Sequence, residues 1–257
     1  MELIPDEILL EIMGYLLTKD ILKNLAQVSK RFHRISKDPD LIKKIVLVCR
    51  PRILCDQSWT KQRRKKYYDD LSKVLKESQK LRVLSLDFGN SYPSAGINII
   101  SNILPYVNPQ CLEEFRIRFK LCNLESLQIL LNYLEKCPKM KTLTLHIWNH
   151  GNFGKSNPII LKTILGSKFK KVEKVHLIYR SRGLKDEAIS TIKNALKNIT
   201  ENLPEIKHLN LDLLANPRNQ SSYNGFNELC PFFQQIATEK NITIAAWISN
   251  GRHFVYK

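Results

Sequence analysis

The chain has 257 residues, 43% apolar and 25% charged, which excludes wholesale disorder, and no apolar run reaches the roughly 18 residues of a membrane span. Lys and Arg number 41 against 24 Asp and Glu, a formal charge of +17. The excess is lopsided: residues 1–45 hold eight basic and seven acidic side chains, so the positive field belongs to residues 46–257 and favours acidic partners.

The first segment, "MELIPDEILLEIMGYLLTKDILKNLAQVSKRFHRIS", reads as three short helices. Pro5 suits a first helical position, and Asp6 and Glu7 meet the positive end of the helix dipole. Ile8, Leu9, Leu10, Ile12, Met13, Tyr15, Leu16 and Leu17 then spread over an arc of about 220°, twice the stripe of an ordinary surface helix. Thr18 is the predicted cap of a second helix carrying Ile21, Leu22, Leu25, Ala26 and Val28, and a third runs through Phe32 and Ile35 to Asp38-Pro39. A helix apolar on two sides has one face for its own core and one for something else. Glu2, Asp6 and Glu7 stand where a secretion signal would be positive, so no cleaved leader is expected.

Taken in order, Leu3, Pro5, Glu7, Ile8, Leu9, Ile12, Tyr15 and Leu16, then Asp20-Ile21-Leu22, Leu25, Val28-Ser29-Lys30-Arg31-Phe32, Asp38 and Leu41 resemble the F-box family. Ile4 is an insertion before the proline, and Ile42 stands where the family usually has a closing Trp. The resemblance implies a three-helix docking module over residues 1–45 that grips the Skp-type adaptor of a Skp–cullin–F-box ubiquitin ligase. By position it implies Leu3, Pro5, Ile8, Leu9, Ile12, Leu22, Leu25 and Val28 as adaptor-binding residues. Some of these must form the module's own core, and their division is not readable from the sequence.

Residues 46–257 repeat. The pattern apolar-x-x-apolar-x-apolar occurs at Ile42-Ile45-Leu47, Leu81-Leu84-Leu86, Leu112-Phe115-Ile117, Met140-Leu143-Leu145, Val172-Val175-Leu177 and Ile206-Leu209-Leu211, with a weaker copy at Ile242-Ala245-Trp247. Each copy has the alternation of a strand, and helical stretches such as "LESLQILLNYLEKC" and "DEAISTIKNALKNITENL" lie between copies. Strand–helix units recurring every 28 to 39 residues stack as a solenoid with a parallel sheet. The pattern resembles leucine-rich repeats, although Gly89, Lys120, Trp148, Arg180 and Leu214 replace the Asn or Cys expected after the strand. The predicted class is therefore α/β: a small all-α F-box, then an irregular leucine-rich-repeat-like solenoid. A doubly wound enzyme fold is the competitor, disfavoured because no glycine-rich phosphate loop is present.

Residues between the apolar positions should line the open side of the sheet. There Arg116, Arg118, His146, Lys174, His176 and His208, with Trp148 and Arg180 in the loops after their strands, pair cations with aromatic groups. These eight are the candidate substrate-binding residues, suited to an acidic or phosphorylated peptide segment. Asn149, His150, Tyr179, Arg182 and Arg218 adjoin them in the same loops. Lys61 to Lys66 form the densest basic run, read as a solvated loop ahead of an import signal or a nucleic-acid contact.

Cys49, Cys55, Cys111, Cys122, Cys137 and Cys230 are scattered, which suits a reducing cytoplasmic or nuclear compartment and argues against structural zinc. No catalytic motif is found, and neither cofactor nor metal is expected. The leading expectation is a non-enzymatic substrate adaptor of a ubiquitin ligase, bound through the Skp-type adaptor to cullin. A basic nucleic-acid-binding repeat protein, or an F-box decoy without a degradation role, is the alternative.

Overall fold

The computed structural model describes residues 4–14, 16, 21, 24–38, 41, 44–48, 69, 72–73, 75–76, 78, 80–87, 103–120, 124–148, 162–180, 186–214, 221–248 and 253–256. Leu3, Leu22, Asn149, His150, Arg182, Arg218 and the Lys61–Lys66 run lie outside them.

Helix α1 spans Asp6–Gly14, a 3-10 turn covers Leu25–Gln27, and α2 spans Lys30–Ile35. Ser29 caps α2, its hydroxyl accepting from the Phe32 N–H at 3.2 Å, as the preference for Ser before a helix anticipates. Leu9, Met13, Ile21, Ile35 and Leu41 form the module's own core, with Leu10, Leu25 and Phe32 packed on it. Asp6 clasps the two helices: Arg31 Nε donates to it at 2.8 Å and Arg34 Nη2 at 2.5 Å, while Arg31 Nη2 donates to the Ile4 carbonyl. The Arg31 and Arg34 guanidiniums hold the Asp6 carboxyl below its ordinary range.

The strands are β1 (Lys44–Val48), β2 (Val83–Asp87), β3 (Glu114–Lys120), β4 (Thr142–Trp148), β5 (Lys174–Arg180), β6 (His208–Leu214), β7 (Thr243–Ile248) and β8 (His253–Tyr256). Between them stand α3 (Leu124–Leu134), α4 (Asp186–Lys197), the single turn α5 (Ile199–Asn202) and α6 (Ser221–Lys240), with a 3-10 turn at Leu104–Tyr106. Sheet order follows chain order, β1 to β8; β1–β7 are parallel and β8 returns antiparallel. The architecture is α/β.

Two rows of registered side chains make the inner face. One runs Leu84, Phe115, Leu143, Val175, Leu209, Ile244, and the next runs Leu86, Ile117, Leu145, Leu177, Leu211, Ala246; all are buried. Helix residues Leu127, Leu130, Leu131, Leu134, Ile192, Leu196 and Phe233 belong to the same core. Residues of the other parity, from Val83 to His208, stay half-buried or exposed. A doubly wound sheet would be covered on both faces. Among the described residues, this one is covered by helices on one face.

Two expectations require correction. In the last unit the core register is Ile242, Ile244 and Ala246, while Ala245 is only half-buried. Asn241 adopts φ 52° between α6 and β7, which resets the phase of the strand, and a one-residue shift exchanges the two faces. Trp148, Tyr179 and Arg180 lie within β4 and β5 rather than in loops.

Strand β8 was not anticipated. It pairs with β7 and buries Tyr256, whose ring meets that of Phe233 at 5.9 Å between centroids. Burial first, then the neighbouring Cys230 side chain, pushes the Tyr256 hydroxyl well above its ordinary value. Among the described residues Cys111, Cys137 and Cys230 are free, and burial raises the Cys137 thiol to about 12.

Phe115→Ala, at a fully buried position, should lower unfolding free energy by about 3–5 kcal/mol in urea titrations. Cys137 should resist iodoacetamide at pH 8, with modification seen by mass spectrometry only after denaturant is added. Asp6→Asn should destabilise the first helices at neutral pH. Because the folded carboxyl titrates below 3.8, its contribution is present above that value and lost as pH falls further, so melts of wild type and variant should converge in strong acid.

Candidate functional site

The outer side of α1 carries an apolar stripe. Leu9 and Met13, four residues apart, point into the module's core, and Ile8 and Ile12, one residue earlier in each turn, point out at 47% and 50% exposure. Ile4 and Leu16 continue the four-residue spacing at each end and are equally exposed, and Val28 is exposed at 65%. Five large apolar side chains among the described residues of one small module thus stand in water, a pattern suited to docking. Of the adaptor-binding candidates, Pro5, Ile8, Ile12 and Val28 are exposed, Leu25 is half-buried against the core and Leu9 is in it. Ile4 and Leu16, outside that set, share the exposed stripe, as the i, i+4 spacing from Ile8 requires.

The second surface is the uncovered face of the sheet. Its registered rows run Glu114, Thr142, Lys174, His208; then Ser85, Arg116, Thr144, His176, Asn210; then Asp87, Arg118, His146, Ile178, Asp212. Arg116, Arg118, His146, Lys174, His176 and His208 therefore share one face. Trp148 and Arg180 pair in the next row, at the strand ends, with side chains outside the described residues. Among the described residues, polar pairs order the face: Arg116 Nε forms an ion pair with Glu114, Arg118 Nη1 one with Asp87 at 3.7 Å, and His176 Nε2 lies within hydrogen-bonding distance of Asp212 Oδ2 at 3.1 Å.

A shallow hollow of about 450 Å³ opens over β4, where Thr142 and Thr144 are short, and Arg116, Lys174, His176 and His208 stand around it. A second hollow, about 500 Å³, lies between α4 and α6 on the helical side, away from every candidate residue. No three His, Cys, Asp or Glu groups among the described residues converge as a metal site, and none of the described helices is long and apolar enough to cross a membrane. The hollow over β4 offers donors and positive charge, the chemistry of anion binding.

Comparison with known families matches residues 1–48 to the family described as F-box-like, a span that takes in α1, α2 and β1. No curated protein matches the chain. F-box domains generally bind Skp-type adaptors. The chain thus carries an F-box-like module at its start, ahead of the strand–helix units.

Proposed function

We propose that the chain is a substrate-recognition subunit of a Skp–cullin–F-box ubiquitin ligase. Its first helices dock on the Skp-type adaptor, and its strand–helix units, a leucine-rich-repeat-like solenoid, hold a protein substrate on the open sheet face. The observation that carries this reading is the stripe Ile4, Ile8, Ile12 and Leu16, outward on a module that already has a separate core in Leu9, Met13, Ile21 and Ile35. The family match to residues 1–48 supports the kind of partner. The subunit performs no chemistry itself. It supplies proximity, raising the effective concentration of a substrate lysine near ubiquitin carried by a recruited enzyme.

The structure dictates which variant tests docking. Leu9→Asp would bury a charge inside the module and unfold it, whereas Ile8→Asp and Ile12→Asp sit in solvent. Co-expressed with a Skp-type adaptor, wild type should elute as a one-to-one complex, and the Ile8→Asp/Ile12→Asp double variant should elute free with an unchanged melt. A double variant that still co-elutes would overturn the docking assignment. Reconstitution with cullin then separates receptor from decoy: a receptor brings ubiquitin to its bound partner, a decoy does not.

A further inference from the structure

We infer that the rim where β4 and β5 begin is a binding site for the sugar–phosphate backbone of a duplex nucleic acid. This goes beyond adaptor docking, which uses α1. The turns 135–141 and 167–173, one leading into each strand, carry Lys136, Lys139, Lys141, Lys168, Lys170 and Lys171, all exposed, against Glu135 and Glu173.

The core holds these lysines out. Cys137 and Met140 in the first turn, and Phe169 and Val172 in the second, are buried, so the residues between them stand in solvent. Glu135 ties the two turns together, its Oε1 accepting from the Lys168 N–H at 3.0 Å. A hollow of about 290 Å³ lies between them, with Lys136, Lys170 and Lys171 in its lining. Neighbouring carboxylates are engaged along the rim: Arg82 grips Glu113 at 2.6 Å, Lys207 reaches Glu173 at 3.1 Å, and Lys171 lies 3.8 Å from Glu205. The two turns keep an excess of positive charge.

The kind of side chain selects the polyanion. Protein interfaces are gripped through buried aromatic and Arg anchors and are depleted in Lys, whereas the cations of both turns are lysines. Stable attachment to a lipid surface combines a basic patch with buried apolar groups, and the exposed large apolar side chains among the described residues, such as Ile129 and Val255, lie outside both turns. A single strand is held by stacking on exposed aromatic rings, and Phe169, the aromatic residue of the two turns, is buried. A duplex asks only for cations. It offers one negative charge about every 1.7 Å of axis, so a lysine on its flexible stem finds a phosphate at any spacing, with no base read.

The test uses the full chain and a fluorescent duplex of about 20 base pairs, as DNA and as RNA, read by anisotropy across a salt series. With about four lysines engaged, log K should fall against log salt with a slope of about −3.6, whatever the base sequence. Lys136→Gln/Lys139→Gln/Lys170→Gln, at exposed positions, should weaken binding about tenfold or more and flatten the slope by about 2.7, with the melt and the adaptor co-elution unchanged. The same three residues changed to Arg should bind as wild type. Ile8→Asp/Ile12→Asp should also bind the duplex as wild type, so failure of adaptor docking and failure of this site are read separately. Binding of either duplex that is lost in the triple Gln variant supports the site, and the tighter duplex names the source.

Absence of duplex binding at low salt would overturn the inference. So would binding indifferent to the triple Gln variant, as contacts through the Lys61–Lys66 run would give, or tighter binding of the single strand. Displacement of the duplex by polyglutamate or by phosphatidylserine vesicles at lower charge concentration would overturn it in favour of an acidic protein or a lipid surface.

Discussion

One carbonyl per unit holds the sheet in register. The Arg82 carbonyl accepts from the N–H groups of Glu113 and Glu114 at 2.8 and 2.9 Å, and the Glu113 carbonyl from Lys141 and Thr142 at 2.7 and 3.1 Å. The Lys141 carbonyl accepts from Glu173 and Lys174, and that of Glu173 from Lys207 and His208, all within 3.0 Å. Each acceptor immediately precedes its strand, so β3 to β6 are each keyed to the previous unit before the ladder begins. Slippage of one residue would turn the buried row outward and the polar row inward. Both the core and the candidate peptide surface depend on this key.

The side chains at these four positions and at Lys207 alternate in sign: Arg82, Glu113, Lys141, Glu173, Lys207. Arg82 grips Glu113 through two hydrogen bonds of 2.8 and 2.6 Å, and Lys207 reaches Glu173 at 3.1 Å. Arg82, through hydrogen bonding, and Lys207 likewise, draw the Glu113 and Glu173 carboxyls below their ordinary range, with Lys141 adding to both. Exposed pairs of this kind contribute little each. Their arrangement still matters, since a pairing that skipped one unit would bring like charges together.

Division of labour arises from covering one face alone. Helices bury the Leu, Ile and Phe rows, so the opposite rows are free to vary without cost to the core. The hollow forms there from two threonines between longer neighbours. At the far edge β8 folds back on β7 and seats Tyr256 beside Phe233, so the last parallel strand is not left with bare backbone donors and acceptors.

What the sequence determined alone is what local pattern can carry. The triplets Leu112-Phe115-Ile117, Met140-Leu143-Leu145 and Ile206-Leu209-Leu211 announced strands and their buried side, because alternation is a property of neighbouring residues. Arg116, Lys174, His176 and His208 could be assigned to one face for the same reason. The division of α1 into Leu9 and Met13 inside and Ile8 and Ile12 outside was decided only in three dimensions, since an arc of about 220° of apolar side chains has no polar side to break the tie. The same is true of the shifted last unit, where one left-handed residue resets the phase, and of β8, whose four residues carry no repeat signal. The hollow over β4 likewise belongs to the tertiary structure, because the threonines that floor it and the cations that surround it are brought together only when β3, β4, β5 and β6 pair in order.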